Sequence, residues 1–150
     1  MRSTLLFLHL AGVITWIGGM SFAYFCLRPV AAELLAPPQR LPLLAGVLGR
    51  FFKMVMAAIA LIAFSGIGRM LSVGFASAPL HWHVMISSGL VMIVIFAIIY
   101  LRHFSNLQAG VAAQDWPAAG AAMNAIRQLV AINLGLAVVT VAIACFGAGF

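Results

Sequence analysis

Two histidines and a methionine stand together in residues 79–85, which read PLHWHVM and open a long apolar run. Imidazole and thioether groups both bind copper, and the soft methionine sulfur favours Cu(I). Two histidines from different helices can equally hold a heme iron from its two sides. The stretch therefore suggests copper binding or heme binding, and the elements that carry the histidines determine which side chains can meet.

His81 and His83 point in different directions if this stretch is a regular helix, because positions two apart lie about 200° around the helix axis. His81 shares its face with Met85 and Met92, whereas His83 shares its face with apolar residues such as Leu90. The His81 face offers more coordinating atoms. We therefore predict that His81 faces the interior of the protein and that Met85 assists it.

The elements around this stretch are apolar helices. Hydrophobic residues make up 65% of the 150 residues and charged residues only 7%, whereas a soluble domain has about a quarter charged residues. Four apolar runs are close to the roughly 20 residues that cross a bilayer. The first lies between Arg2 and Arg28, the second starts around Phe51 and extends beyond Gly68, and the others cover residues 80–101 and 129–150. Unsatisfied backbone groups are costly in lipid, so each run should be helical. We predict an all-α fold, a single four-transmembrane-helix bundle over residues 1–150.

The basic residues mark one side of this bundle. The loop after the first helix, taken through the start of the second, and the loop before the fourth contain most of them: Arg28, Arg40, Arg50, Lys53, Arg102 and Arg127. Cytoplasmic loops of membrane proteins are enriched in arginine and lysine, which places both loops in the cytoplasm and both termini on the outer, periplasmic side. The net charge of +6 is thus explained by topology and contacts with the lipid bilayer, and no nucleic-acid partner is expected.

This topology brings His9 into the same outer layer as the two histidines of the third helix. His9 lies about six residues inside the first helix, or roughly 9 Å from its outer end. Polar side chains inside an apolar span are costly and usually functional. We predict a copper site formed by His9, His81 and Met85.

Heme b is the alternative cofactor at the same place. His9 and a histidine of the third helix, His81 or His83, would be the axial ligands. Arg69, near the outer end of the second helix, would pair with a heme propionate. Trp16 lies on the His9 face of the first helix and is a further candidate for cofactor contact.

Two sequence motifs resemble known families. Residues 9–12 (HLAG) and 16–20 (WIGGM) resemble the opening of the CopD copper-resistance membrane domain, and the segment from residues 50–53 (RFFK) to 65–66 (SG) is similar to its second helix. The resemblance implies a bacterial inner-membrane protein that handles copper. It also implies a homo-oligomer or a membrane partner, because the long CopD proteins carry additional membrane helices. The WxGG motif is shared with the HemJ-like family, which implies a four-helix heme-binding oxidoreductase with a histidine at the position of His9.

Overall fold

The computed structural model describes residues 2–147, which form helices joined by short connections. The elements are α1 (Arg2–Phe22), a π-helical turn (Ala23–Leu27), α2 (Arg28–Leu34), α3 (Pro37–Val73), a 3-10 turn (Phe75–Ser77), α4 (Leu80–Ile98), a second π-helical turn (Ile99–Phe104), α5 (Ser105–Ala112) and α6 (Trp116–Gly147).

These elements combine into four continuous spans that are long and apolar enough to cross a membrane. The first to fourth spans cover Ser3–Leu34, Pro37–Val73, Leu80–Ala112 and Trp116–Gly147. No strand occurs in the part of the chain that the structure describes. The predicted all-α fold with four transmembrane helices is therefore confirmed.

Both ends of the described chain lie at one end of the bundle, which we call the terminal end. A Cβ atom added to Gly68, near the end of α3, would lie 3.7 Å from the side chain of Leu5. A Cβ atom added to Gly147 would lie 2.6 Å from the Cβ atom of His81, at the start of α4. The opposite end, which we call the basic end, carries the helical segments that contain Arg28, Arg40, Arg102 and Arg127. That the terminal end faces the periplasm stays a prediction.

The second span begins at Pro37 rather than near Phe51. The three prolines in residues 36–42 predict a turn-rich connection, and this prediction is wrong because α3 includes all of them. Pro37 and Pro38 occupy the first helical positions, where a backbone N–H has no intrahelical partner to lose. Pro42, the sixth residue of α3, lies inside the helix, where it removes the hydrogen bond to the carbonyl of Pro38 and its ring crowds that carbonyl. The added turns also bury three leucine side chains: Leu41, Leu44 and Leu48.

Polar side chains link the third and fourth spans. Asn133 is buried, and its Nδ2 donates to the backbone carbonyl of Met92 at 3.3 Å. The hydroxyls of Thr140 and Ser88 are hydrogen-bonded at 2.8 Å. The sequence predicts this structural role for Asn133 and Thr140 because both lie on one face of an apolar helix, and the contacts confirm it.

Asp115 caps the start of α6, as its position before Trp116 and Pro117 predicts. Its Oδ1 accepts a hydrogen bond of 3.0 Å from the backbone N–H of Ala118. We expect Asp115→Ala to lower the free energy of unfolding by about 1 kcal/mol, because an orphan N–H loses its acceptor. Denaturant titration in mixed micelles measures the change. Asp115→Asn keeps a capping oxygen and should stay near wild type; equal losses in both variants would argue against the cap.

A candidate metal site at the terminal end

A close crossing of α1 and α3 sets the position of His9. Gly12 lies at this crossing, and a Cβ atom there would lie 2.8 Å from Cγ1 of Ile62 and 2.9 Å from the carbonyl oxygen of Ala58. Glycine lets helix backbones approach closely in a membrane. Because of this approach, His9 lies against α3, where a Cβ atom on Gly66 would be 3.6 Å from its Cε1 atom.

His9 is hydrogen-bonded to Ser65, with 3.0 Å between Nδ1 and Oγ. Ser65 is only 1% exposed. Its Oγ also lies 2.6 Å from the carbonyl oxygen of Leu61 and 3.1 Å from that of Ile62. A carbonyl can only accept, and the contact of Ser65 with Leu61 is shorter than its contact with His9, so we assign the single hydroxyl hydrogen of Ser65 to the backbone. The Ser65 oxygen then accepts from Nδ1–H of the neutral imidazole.

This bond determines the chemistry open to His9. With the proton on Nδ1, the other ring nitrogen, Nε2, carries a lone pair that can bind a metal ion. A metal-binding histidine characteristically donates its second ring N–H to an oxygen, which fixes the tautomer and the ring orientation. Ser65 supplies this oxygen. The sequence does not single out Ser65 for this role, although a histidine within an apolar span signals a need for a polar partner.

His81 and Met85 lie at the same end but face another neighbour. Both side chains are half-buried and lie on successive turns of α4. The position of His81 beside Gly147 directs it toward α6, whereas His9 faces α3. Within residues 2–147, no cluster of three or more His, Cys, Asp or Glu side chains could hold a metal ion. The structure thus places the predicted ligands at one end of the bundle and seats His9 and His81 against different helices.

Arg69 and Trp82 form a second link at the terminal end, between α3 and α4. The guanidinium carbon of Arg69 lies 5.1 Å from the centroid of the Trp82 ring, a cation–π contact. Trp82 also lies edge-on to the neighbouring His81 ring, with 6.3 Å between centroids. His83 is half-buried, and its backbone carbonyl accepts a hydrogen bond from Ser87. Arg69, the predicted propionate partner, thus has an aromatic partner within the protein.

Trp16 lies about two turns deeper than His9 and belongs to the core. It is 4% exposed and packs edge-on against Phe96, with 6.2 Å between ring centroids. Phe96 in turn contacts Phe52 of α3 at 5.6 Å. These contacts give Trp16 a packing role that joins three spans.

Comparison with known proteins relates most of this architecture to one family. The family model described as Copper resistance protein D matches residues 45–146. The match includes Ser65, Arg69, His81 and Met85 but begins after the first span, so it does not extend to His9. No curated protein and no solved structure shows a significant match. Since the family match covers more than half of a chain with four membrane-spanning helices, the protein belongs to the copper resistance protein D (CopD) family of membrane proteins.

Proposed function

We propose that this protein binds and handles copper at its terminal end, with Nε2 of His9 as the principal ligand. The observation that carries the proposal is the hydrogen bond between His9 Nδ1 and Ser65 Oγ, which leaves Nε2 free to bind a metal. Membership of the CopD family supports copper as the metal. The arginine-rich helical segments at the basic end support an orientation in which the terminal end faces the periplasm of a bacterial inner membrane.

His81 and Met85 form the second part of the proposed site. They are four residues apart on α4 and therefore lie on one face of the helix. Because His9 faces α3 and His81 faces α6, we propose two copper positions, a tight one at His9 and an accessory one at the His81–Met85 pair. Exchange between the two positions is the step that would move copper from one helix pair to the other.

The available ligands suit Cu(I) better than a divalent ion. Imidazole and thioether are neutral, and soft sulfur selects Cu(I). The chain has only two carboxylate side chains. Asp115 caps α6 at the basic end, and Glu33 lies on α2, at the same end. With neutral ligands in an apolar environment, burying a single positive charge costs less free energy than burying a double one.

Metal analysis and an absorption spectrum on one purified sample test the proposal. Protein from cells supplied with copper and heme is expected to retain copper under reducing conditions and to show no Soret band. If the protein contained no copper and showed a Soret band that shifts on reduction, the cofactor would be heme b, held by His9 and a histidine of α4, and not copper. Protein with neither cofactor would overturn both functions and leave a structural or assembly role.

A further inference from the structure

A narrow cleft at the basic end lies between the first, second and fourth spans. Arg28 of α2 and Arg127 of α6 both line it, together with Tyr24 and apolar side chains of α3. Its free volume is about 30 Å³. A water molecule needs roughly 10–15 Å³ by the same measure, so the cleft admits two or three oxygen atoms and not a whole phosphate group.

The cleft contains positive charge and an unused hydrogen-bond donor. Nε of Arg127 is buried without a hydrogen-bond partner in the described structure, while one terminal nitrogen of its guanidinium donates to Oδ1 of Asn124 at 2.8 Å. Leaving a buried donor unpaired is costly, particularly on a charged group. Neither Asp115 nor Glu33 is among the described residues that line the cleft. An anionic acceptor from outside the chain would satisfy Nε of Arg127 and balance the positive charge of both arginines.

An apolar groove adjoins this cleft. The groove has a volume of about 410 Å³ and lies between the end of the first span and the start of α3. Leu27 lines both the groove and the arginine cleft, so the two are continuous. The other groove residues are almost entirely apolar and include Phe22, Cys26, Val30, Leu34 and Leu43. A single ligand could therefore place a charged group at the arginines and a hydrocarbon chain in the groove.

We propose that this composite site binds an anionic glycerophospholipid. Its phosphate lies at the mouth of the cleft between Arg28 and Arg127, and one acyl chain fills the groove. The planar guanidinium groups match the geometry of phosphate oxygens. Basic pockets between transmembrane helices recognise anionic lipid headgroups, and the charges of these two arginines add the selectivity that an apolar groove lacks. The bound lipid joins the first span to the fourth at the end opposite His9.

Lipid binding by the full-length protein in detergent micelles tests this inference. We would measure dissociation constants by native mass spectrometry for phosphatidylglycerol and phosphatidylcholine with identical acyl chains. One basic residue near a membrane surface contributes about a fivefold change in affinity for an anionic lipid, so the two arginines should give phosphatidylglycerol roughly 25-fold tighter binding. Arg28→Gln and Arg127→Gln should each lower this preference about fivefold.

Arg102→Gln is the matched control, because Arg102 is an exposed arginine at the same end and is not among the residues that line the cleft. It should keep the wild-type preference. Equal binding of both lipids by the wild-type protein, or an equal loss in all three variants, would overturn the site. Inorganic phosphate that displaces phosphatidylglycerol at matching concentration would identify a free anion as the ligand and overturn the lipid. Circular dichroism verifies that each variant is folded.

Discussion

Replacing His9 with alanine is expected to weaken the tightest Cu(I) binding by at least about 100-fold, because loss of a residue that merely orients a metal ligand already costs roughly 10–100-fold. Helical content should be unchanged, since the His9 side chain is only half-buried. Competition with a chromophoric Cu(I) chelator under reducing conditions measures the affinity. His81→Ala should affect only the weaker, accessory position.

Ser65→Ala separates the role of the imidazole from the role of its orientation. This variant keeps His9 but removes the oxygen that accepts from Nδ1–H, and we expect a roughly 10–100-fold loss of affinity. Gly66→Ala is the neighbouring control, because its added Cβ atom would make only an ordinary 3.6 Å contact with His9. Unchanged affinity in Ser65→Ala would show that Ser65 does not orient His9 for metal binding. Unchanged affinity in His9→Ala would show that His9 is not a copper ligand.

The sequence predicts the four spans and the end of the bundle at which each polar residue lies. Both follow from the length and the number of the apolar runs, which can be read directly along the sequence. The same reasoning places His9, Arg69 and His81 at one end. It also predicts the inward face of α1, because Gly12, Trp16 and Met20 repeat at helical spacing and are buried in the structure.

The rotation of each helix about its own axis is what the sequence leaves open. A common end does not determine that His9 meets Ser65 while His81 approaches Gly147; interhelical packing determines it. The cation–π contact between Arg69 and Trp82 depends on the same packing. The two π-helical turns also change the rotation partway along the first and third spans, since each accommodates an extra residue. Such local changes give no periodic signal.

Gly12→Val is expected to lower the free energy of unfolding by about 3 kcal/mol, the upper part of the range for overpacked cores. The added Cβ atom would lie 2.8 Å from Ile62 and 2.9 Å from the backbone oxygen of Ala58, and the valine methyl groups extend further. A backbone carbonyl cannot rotate away as a flexible side chain can, so α1 and α3 must separate. Denaturant titration in mixed micelles measures the loss.

Gly18→Val is the matched control on the same helix, because nothing lies within 4 Å of a Cβ atom at Gly18. Both substitutions change helix propensity by the same amount, so the difference between the two free energies of unfolding measures the effect of the close contact between α1 and α3. His9 lies one turn from Gly12 on α1, so separation of the helices would also draw His9 away from Ser65. Cu(I) affinity should therefore fall in Gly12→Val and not in Gly18→Val. Equal stability of the two variants would contradict a close contact between α1 and α3 at Gly12. A Gly12→Val variant that lost stability but kept its copper affinity would show that the metal site does not depend on this contact.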